Sequence, residues 1–233
     1  MYKKVTHHII EEHFDHPMAA HVKEVVDHGH HTTPIPYDHK SMLIPTSPSS
    51  IKLTSDAMHL FGNYYWRLRS YLISALDSGE DRAAIENHLM TDITNLGNVV
   101  KTYYGDAAAT SFEKYLKAYT MAIIDVINAI KSGQSVTDIT PKVSTSVNDL
   151  ANFLNQANPA YWPASTVSHI LNQEVDAWVA QANDRKRKDW IADFAALERG
   201  KGILITGQPD KTPSFATTFA NGVIQQFPSK FIS

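Results

Sequence analysis

From residue 56 to residue 133 the sequence states one pattern three times: apolar residues at three- and four-residue steps, then a glycine. Residues 56–76 place Phe61, Tyr64, Leu68, Leu72 and Ala75 on one face, and Gly79 follows. Residues 81–103 repeat the pattern with Ile85, Leu89, Ile93, Leu96, Val100 and Tyr103, closed by Gly105. Residues 106–131 carry Phe112, Tyr115, Leu116, Tyr119, Ile123, Val126 and Ile130, closed by Gly133. That spacing is the period of a helix burying one side, and glycine supplies the left-handed residue on which helices end. Connections this short between helices this long make neighbours antiparallel.

The pattern continues with less force. Pro141 suits the first turn of a fourth helix carrying Val143, Val147, Leu150 and Leu154, which stops at Asn158-Pro159. A fifth, over residues 165–182, turns Val167, Leu171, Val175 and Trp178 inward. Trp190, Phe194 and Leu197 suggest a sixth helix that weakens at Gly200 and Gly202, and GILITGQPDKTP reads as a loop with room for a short extended piece. A last helix starts at Pro213 with Phe215, Phe219, Val223 and Phe227. No run alternates well enough to build a sheet. The expected fold is all-α, an antiparallel helical bundle of about six helices over residues 51–233, beginning near Thr54 to Asp56. Residues 1–50 form a histidine-rich arm and a Pro/Ser/Thr linker.

Composition removes several functions. The chain has no cysteine, so disulfides, thiolate metal sites and a cysteine nucleophile are out. A net charge of -3 gives no general attraction for nucleic acid or anionic membrane. The one basic run, Arg185-Lys186-Arg187-Lys188, reads as solvated helix surface. No apolar run approaches the ~20 residues of a membrane span, and the N-terminus lacks a signal-peptide layout, so a soluble protein is expected.

Three strings, NLGNVVKTYYGDAA, LANFLNQANPAYWP and NGVIQQFPSKF, together resemble an uncharacterised family of all-helical bacterial proteins, some labelled acetylglutamate kinase. The resemblance covers about residues 55–231 and omits the arm. Phosphoryl transfer from ATP needs a glycine-rich phosphate cradle, a placed lysine and usually carboxylate-held magnesium. No such set is legible, so kinase chemistry is not expected. The resemblance implies histidines in the first and third bundle helices and a histidine–carboxylate pair in the fifth. The matching residues are Tyr64, Tyr119, His169 and Asp176. His169, Gln173 and Asp176 share a helical face by spacing, which keeps His169 and Asp176 as metal candidates. The phenols are poor ligands for ordinary divalent metals, so a site there would be depleted. Relative to the family, residues 206–213 look inserted. At other matched positions Asn95, Gly97 and Asn98 permit close helix packing or turn hydrogen bonds, and Gly222, Gln226, Phe227 and Pro228 look like a packed C-terminal closure.

The arm is the least ordinary part of the chain. Residues 1–31 hold eight of the twelve histidines. Pro17 can open a helix whose Met18, Val22, Val25 and Val26 share an apolar face. His21, Glu24 and His28 share another, with His30 and His31 close by, a set that suits Zn, Cu or Ni. The same apolar strip needs a surface to bury it, and the proline-rich connector gives reach to a neighbouring subunit. The favoured expectation is a non-enzymatic structural or interaction protein, a homo-oligomer or filament joined through its N-terminal arm. The alternative is a histidine-dependent metal-binding protein or metalloenzyme. No nucleic-acid partner is expected.

Overall fold

A serine and a proline, not the threonine and aspartate farther along, open the first helix. In the computed structural model, which describes residues 46–232, α1 spans Pro48–Leu76. Ser47 caps it by accepting the Ser50 amide at 3.2 Å, and Pro48 fills a first-turn position where its missing N–H costs nothing. Thr54 and Asp56, expected to start the helix, lie within it. The Thr54 hydroxyl donates to the Ser50 carbonyl, and Asp56 pairs with Lys52 one turn back. The chain divides into two units, residues 1–42 and 43–233, and every described residue belongs to the second. The arm, with His21, Glu24, His28, His30 and His31, lies outside the described residues. The expected boundary after residue 50 falls inside α1.

Six more α-helices follow: α2 (Arg82–Tyr104), α3 (Asp106–Ser132), α4 (Thr140–Ala157), α5 (Ala164–Lys186), α6 (Trp190–Lys201) and α7 (Phe215–Gln226). Among the described residues there is no strand, and no helix is long and apolar enough to cross a membrane. Through α6 each helix packs against the next in sequence; α3 also meets α5, and α7 returns to α1. Gly105 alone joins α2 to α3. Its φ of 85° lies where a side chain would be strained, and its position forces the chain to reverse between two packed helices.

The predicted stripes of α1, α3, α4 and α5 form the core. Phe61, Leu68 and Leu72 from α1 meet Phe112, Leu116 and Ile123 from α3, all buried. Phe61 touches both Phe215 and Phe219 edge-on, at 5.2 and 5.8 Å between ring centres, so the last helix closes over the first. Trp162, between α4 and α5, stacks on Phe219 and donates to the Thr218 carbonyl at 3.1 Å. Gly222 makes this approach possible: a Cβ there would fall inside the Trp162 indole.

Two features beyond the start of α1 differ from the sequence reading. The segment after Gly200 is only in part the expected loop: residues 207–213 are irregular, but residues 202–206 are not. Helix α6 runs into a π-helical turn, Gly202–Thr206, because Ile203, Leu204 and Ile205 are all buried and a continued coil delivers them to the core. The apolar residues that signal α6 are also not its inward face: Trp190 and Phe194 are exposed, and of the three only Leu197 is buried.

Candidate functional site

Helix α5 sorts the residues that the family resemblance singled out. The periodicity that turns Val167, Leu171 and Trp178 inward turns His169 and Asp176 outward, and both are exposed. Among the described residues no three histidine, aspartate or glutamate side chains gather as a metal site would require. Tyr64 and Tyr119, by contrast, are fully buried, and the carboxylate that Tyr119 meets is Glu174, two residues before Asp176.

Glu174 is 1% exposed. Its Oε1 accepts the Trp178 indole N–H at 3.1 Å, and its Oε2 lies 2.9 Å from the Tyr119 hydroxyl. That hydroxyl is also 3.1 Å from the Leu171 carbonyl. Tyr119 has one proton for two acceptors: it donates to the Glu174 carboxylate when that group is ionised, and when Glu174 takes up a proton its carboxyl can donate to Tyr119 while Tyr119 donates to the Leu171 carbonyl. Burial pushes the Glu174 carboxyl up to about 7, against the lowering effect of its Trp178 and Tyr119 bonds. Beside it, Tyr64 lies 3.0 Å from Thr120, whose own proton goes to the Leu116 carbonyl, so Tyr64 is the donor. Burial, and next the Glu174 charge, hold both phenols well above their usual range. The group can store one proton inside the bundle.

A second polar group ties α6 to α1. Arg69 grips Asp193 through two bonds, Nη1 to Oδ1 at 2.6 Å and Nη2 to Oδ2 at 2.5 Å, and its Nη1 also reaches Gln181 at 3.1 Å. Gln181 continues to the Tyr65 hydroxyl, which donates to the Leu197 carbonyl at 2.7 Å. Arg185 adds a second cation 3.6 Å from Asp193 and bonds Asp77 at 2.8 Å. The helical periods read from the sequence predict none of these three arginine–aspartate contacts. The signal was present: Arg69 follows Tyr65 by four and Asp193 precedes Leu197 by four, so each puts a lone charge in a core register.

The same network sets what α6 displays. With Asp193, Ala196, Leu197 and Gly200 facing inward, the helix turns Trp190, Ile191 and Phe194 to the outside, 49%, 87% and 62% exposed. The Arg185 guanidinium lies over the Trp190 ring at 5.4 Å, so the indole is held by a cation that is itself fixed by Asp77 and Asp193. The rest of the basic run is mostly engaged locally. Lys186 donates to the Ile130 carbonyl at the end of α3, and Arg187 pairs with Asp184. Three large apolar side chains on a pinned helix form a surface suited to another protein. Compared with protein-family models, curated proteins and solved structures, the chain matches none of them.

Proposed function

We propose that this is a non-enzymatic interaction protein that assembles with copies of itself. The observation that carries the reading is the outer face of α6, where Trp190, Ile191 and Phe194 stand exposed on a helix whose rotation is fixed by the buried Arg69–Asp193 pair. A rigid apolar patch loses little conformational freedom on docking, so more of its burial appears as affinity. The apolar spacing of Met18, Val22, Val25 and Val26 in the sequence of the histidine-rich arm supports a further contact with a neighbouring subunit.

Light scattering on the full chain across a concentration range, with metal analysis of the same sample, tests this. Assemblies larger than the 26.0 kDa monomer are expected. Removing residues 1–45, which leaves the Ser47 cap in place, is expected to reduce their size. A full chain that stays monomeric at every concentration, with and without added zinc, would defeat the proposal. Stoichiometric zinc, copper or nickel retained after dialysis by such a monomer would favour the metal-binding reading instead.

A further inference from the structure

We infer that Trp66, Tyr65, Trp178 and Tyr119 form a path along which a one-electron oxidant at the surface draws an electron from the core, while the Tyr119 proton passes to Glu174. This activity is separate from self-assembly and uses none of the exposed residues of α6.

Hydrogen bonding singles out Tyr119 as the donor. A phenol that loses an electron becomes strongly acidic, so a buried tyrosine gives one up readily only where a placed base takes its proton. Three neighbouring tyrosines of the core differ in this respect. Tyr64 donates to the Thr120 hydroxyl and Tyr65 to the Leu197 carbonyl, neither of which holds a proton at neutral pH. Tyr119 reaches a carboxylate, Oε2 of Glu174, at 2.9 Å. With Glu174 ionised, the Tyr119 O–H bond breaks, an O–H bond forms on Oε2, and one electron leaves. The products are a neutral phenoxyl radical and a neutral carboxyl. A buried anion has then disappeared, and this favours the step because a charge held out of water is costly.

The electron has a continuous way out. Trp178 donates its indole N–H to the other oxygen of the same carboxylate at 3.1 Å, so one group joins Tyr119 to Trp178. The Trp178 ring lies 4.9 Å from that of Tyr65, and Tyr65 lies 5.7 Å from Trp66, which is 48% exposed. Electron transfer slows steeply with each added ångström, so adjacent rings carry it in short steps. Trp66 gives an electron to the oxidant and is refilled through Tyr65 from Trp178, which is refilled from Tyr119. The hydroxyl of Tyr65 meets only a carbonyl and the Gln181 amide, so its ring passes the charge without keeping it. Each indole ends as it began. The oxidant has gained one electron, Tyr119 has lost one, and the radical rests where other molecules cannot reach it, 1% exposed. An organic or oxygen-centred radical is the class of oxidant this path would quench.

Glu174 gates the path. Its carboxyl is pushed up to about 7 by burial, so it accepts a proton above that value and has none to accept below it. The titratable groups packed around it are Tyr64 and Tyr65 on α1 and Tyr119 on α3. Asp176 on α5, Arg69 on α1 and Glu198 on α6 act on those phenols from farther off.

Flash oxidation of the full chain by a photogenerated ruthenium(III) tris-bipyridyl complex, followed by transient absorption and electron paramagnetic resonance, tests the path. A long-lived tyrosyl radical is expected, and Tyr119→Phe is expected to abolish it. Trp66→Phe, at a half-exposed position that leaves the core intact, is expected to slow its formation by about tenfold. Its yield is expected to rise in the wild type from about pH 6 to about pH 8 and to stay low throughout in Glu174→Gln. Circular dichroism of each variant separates a lost signal from a lost fold. No long-lived tyrosyl radical in the wild type, the same yield in Tyr119→Phe, or an unchanged rate in Trp66→Phe would each overturn the inference.

Discussion

Arg69 and Asp193, 124 positions apart in sequence, share two hydrogen bonds within a core where they are 5% and 0% exposed. The pair joins the first long helix to the sixth and fixes which side of α6 reaches solvent. Breaking a buried ion pair from one side leaves an uncompensated charge, at a cost of about 3–5 kcal/mol. Asp193→Asn is expected to lose stability on that scale, since Arg69 then lacks its anion and Arg185 keeps only Asp77. The double change Arg69→Met with Asp193→Leu is expected to cost less, because it leaves no orphan. Urea denaturation of the three proteins measures both, and a loss below about 1 kcal/mol for Asp193→Asn would show that the pair contributes little.

Glu174 makes stability depend on pH in the direction opposite to that of a salt-bridged carboxylate. Its folded value, about 7, lies above the ordinary 4.5, so between these the folded chain keeps a proton that the unfolded chain releases. The contribution is fully present below pH 4.5, declines as pH rises, and is lost above 7. A shift of this size corresponds to roughly 3 kcal/mol. Glu174→Gln keeps the shape and a donor for Tyr119 but cannot ionise. The stability difference between wild type and Glu174→Gln is therefore expected to move in favour of the variant from pH 5 to pH 8. Parallel pH profiles for the two proteins would refute the assignment.

Gly222→Ala places a methyl group in the space occupied by the Trp162 ring, which is stacked on Phe219 and bonded to the Thr218 carbonyl. Moving the indole loses both contacts. Overpacking of this kind costs about 1–3 kcal/mol. A thermal midpoint several degrees lower is expected, with the helical content of the folded state unchanged; an unaltered midpoint would mean the ring can move freely.

Where core contacts were periodic and local, the residues were legible from sequence. In the stripe of α3, Phe112, Leu116, Tyr119, Ile123, Val126 and Ile130 are buried as spaced and Tyr115 is half-buried, because the same helical period decides each of them. At α6 the period admits two rotations. One buries Trp190 and Phe194, and the other buries Asp193, Leu197 and Gly200. Hydrophobicity favours the first, but the choice belongs to Arg69, a partner on another helix that no local window contains. The start of α1 was missed for a related reason, since Ser47, Thr54 and Asp56 are all chemically able to cap and only Ser47 precedes a proline. On α5 the family comparison pointed to His169 and Asp176, and the core took Glu174, whose carboxyl is tolerated there because Trp178 and Tyr119 supply partners.

The closure of α7 over α1 has a consequence for how the chain is made. Phe61 rests against Phe215 and Phe219, so its ring finds cover only after the ribosome has produced the last helix. At ordinary elongation rates of about 5–20 residues per second, that wait lasts on the order of ten to thirty seconds. During it the α2–Gly105–α3 reversal can form from neighbouring residues, while the aromatic side of α1 remains uncovered. A nascent chain halted before Phe215 would thus carry paired helices and an unshielded Phe61, a substrate for chaperones that a full-length chain ceases to be on release.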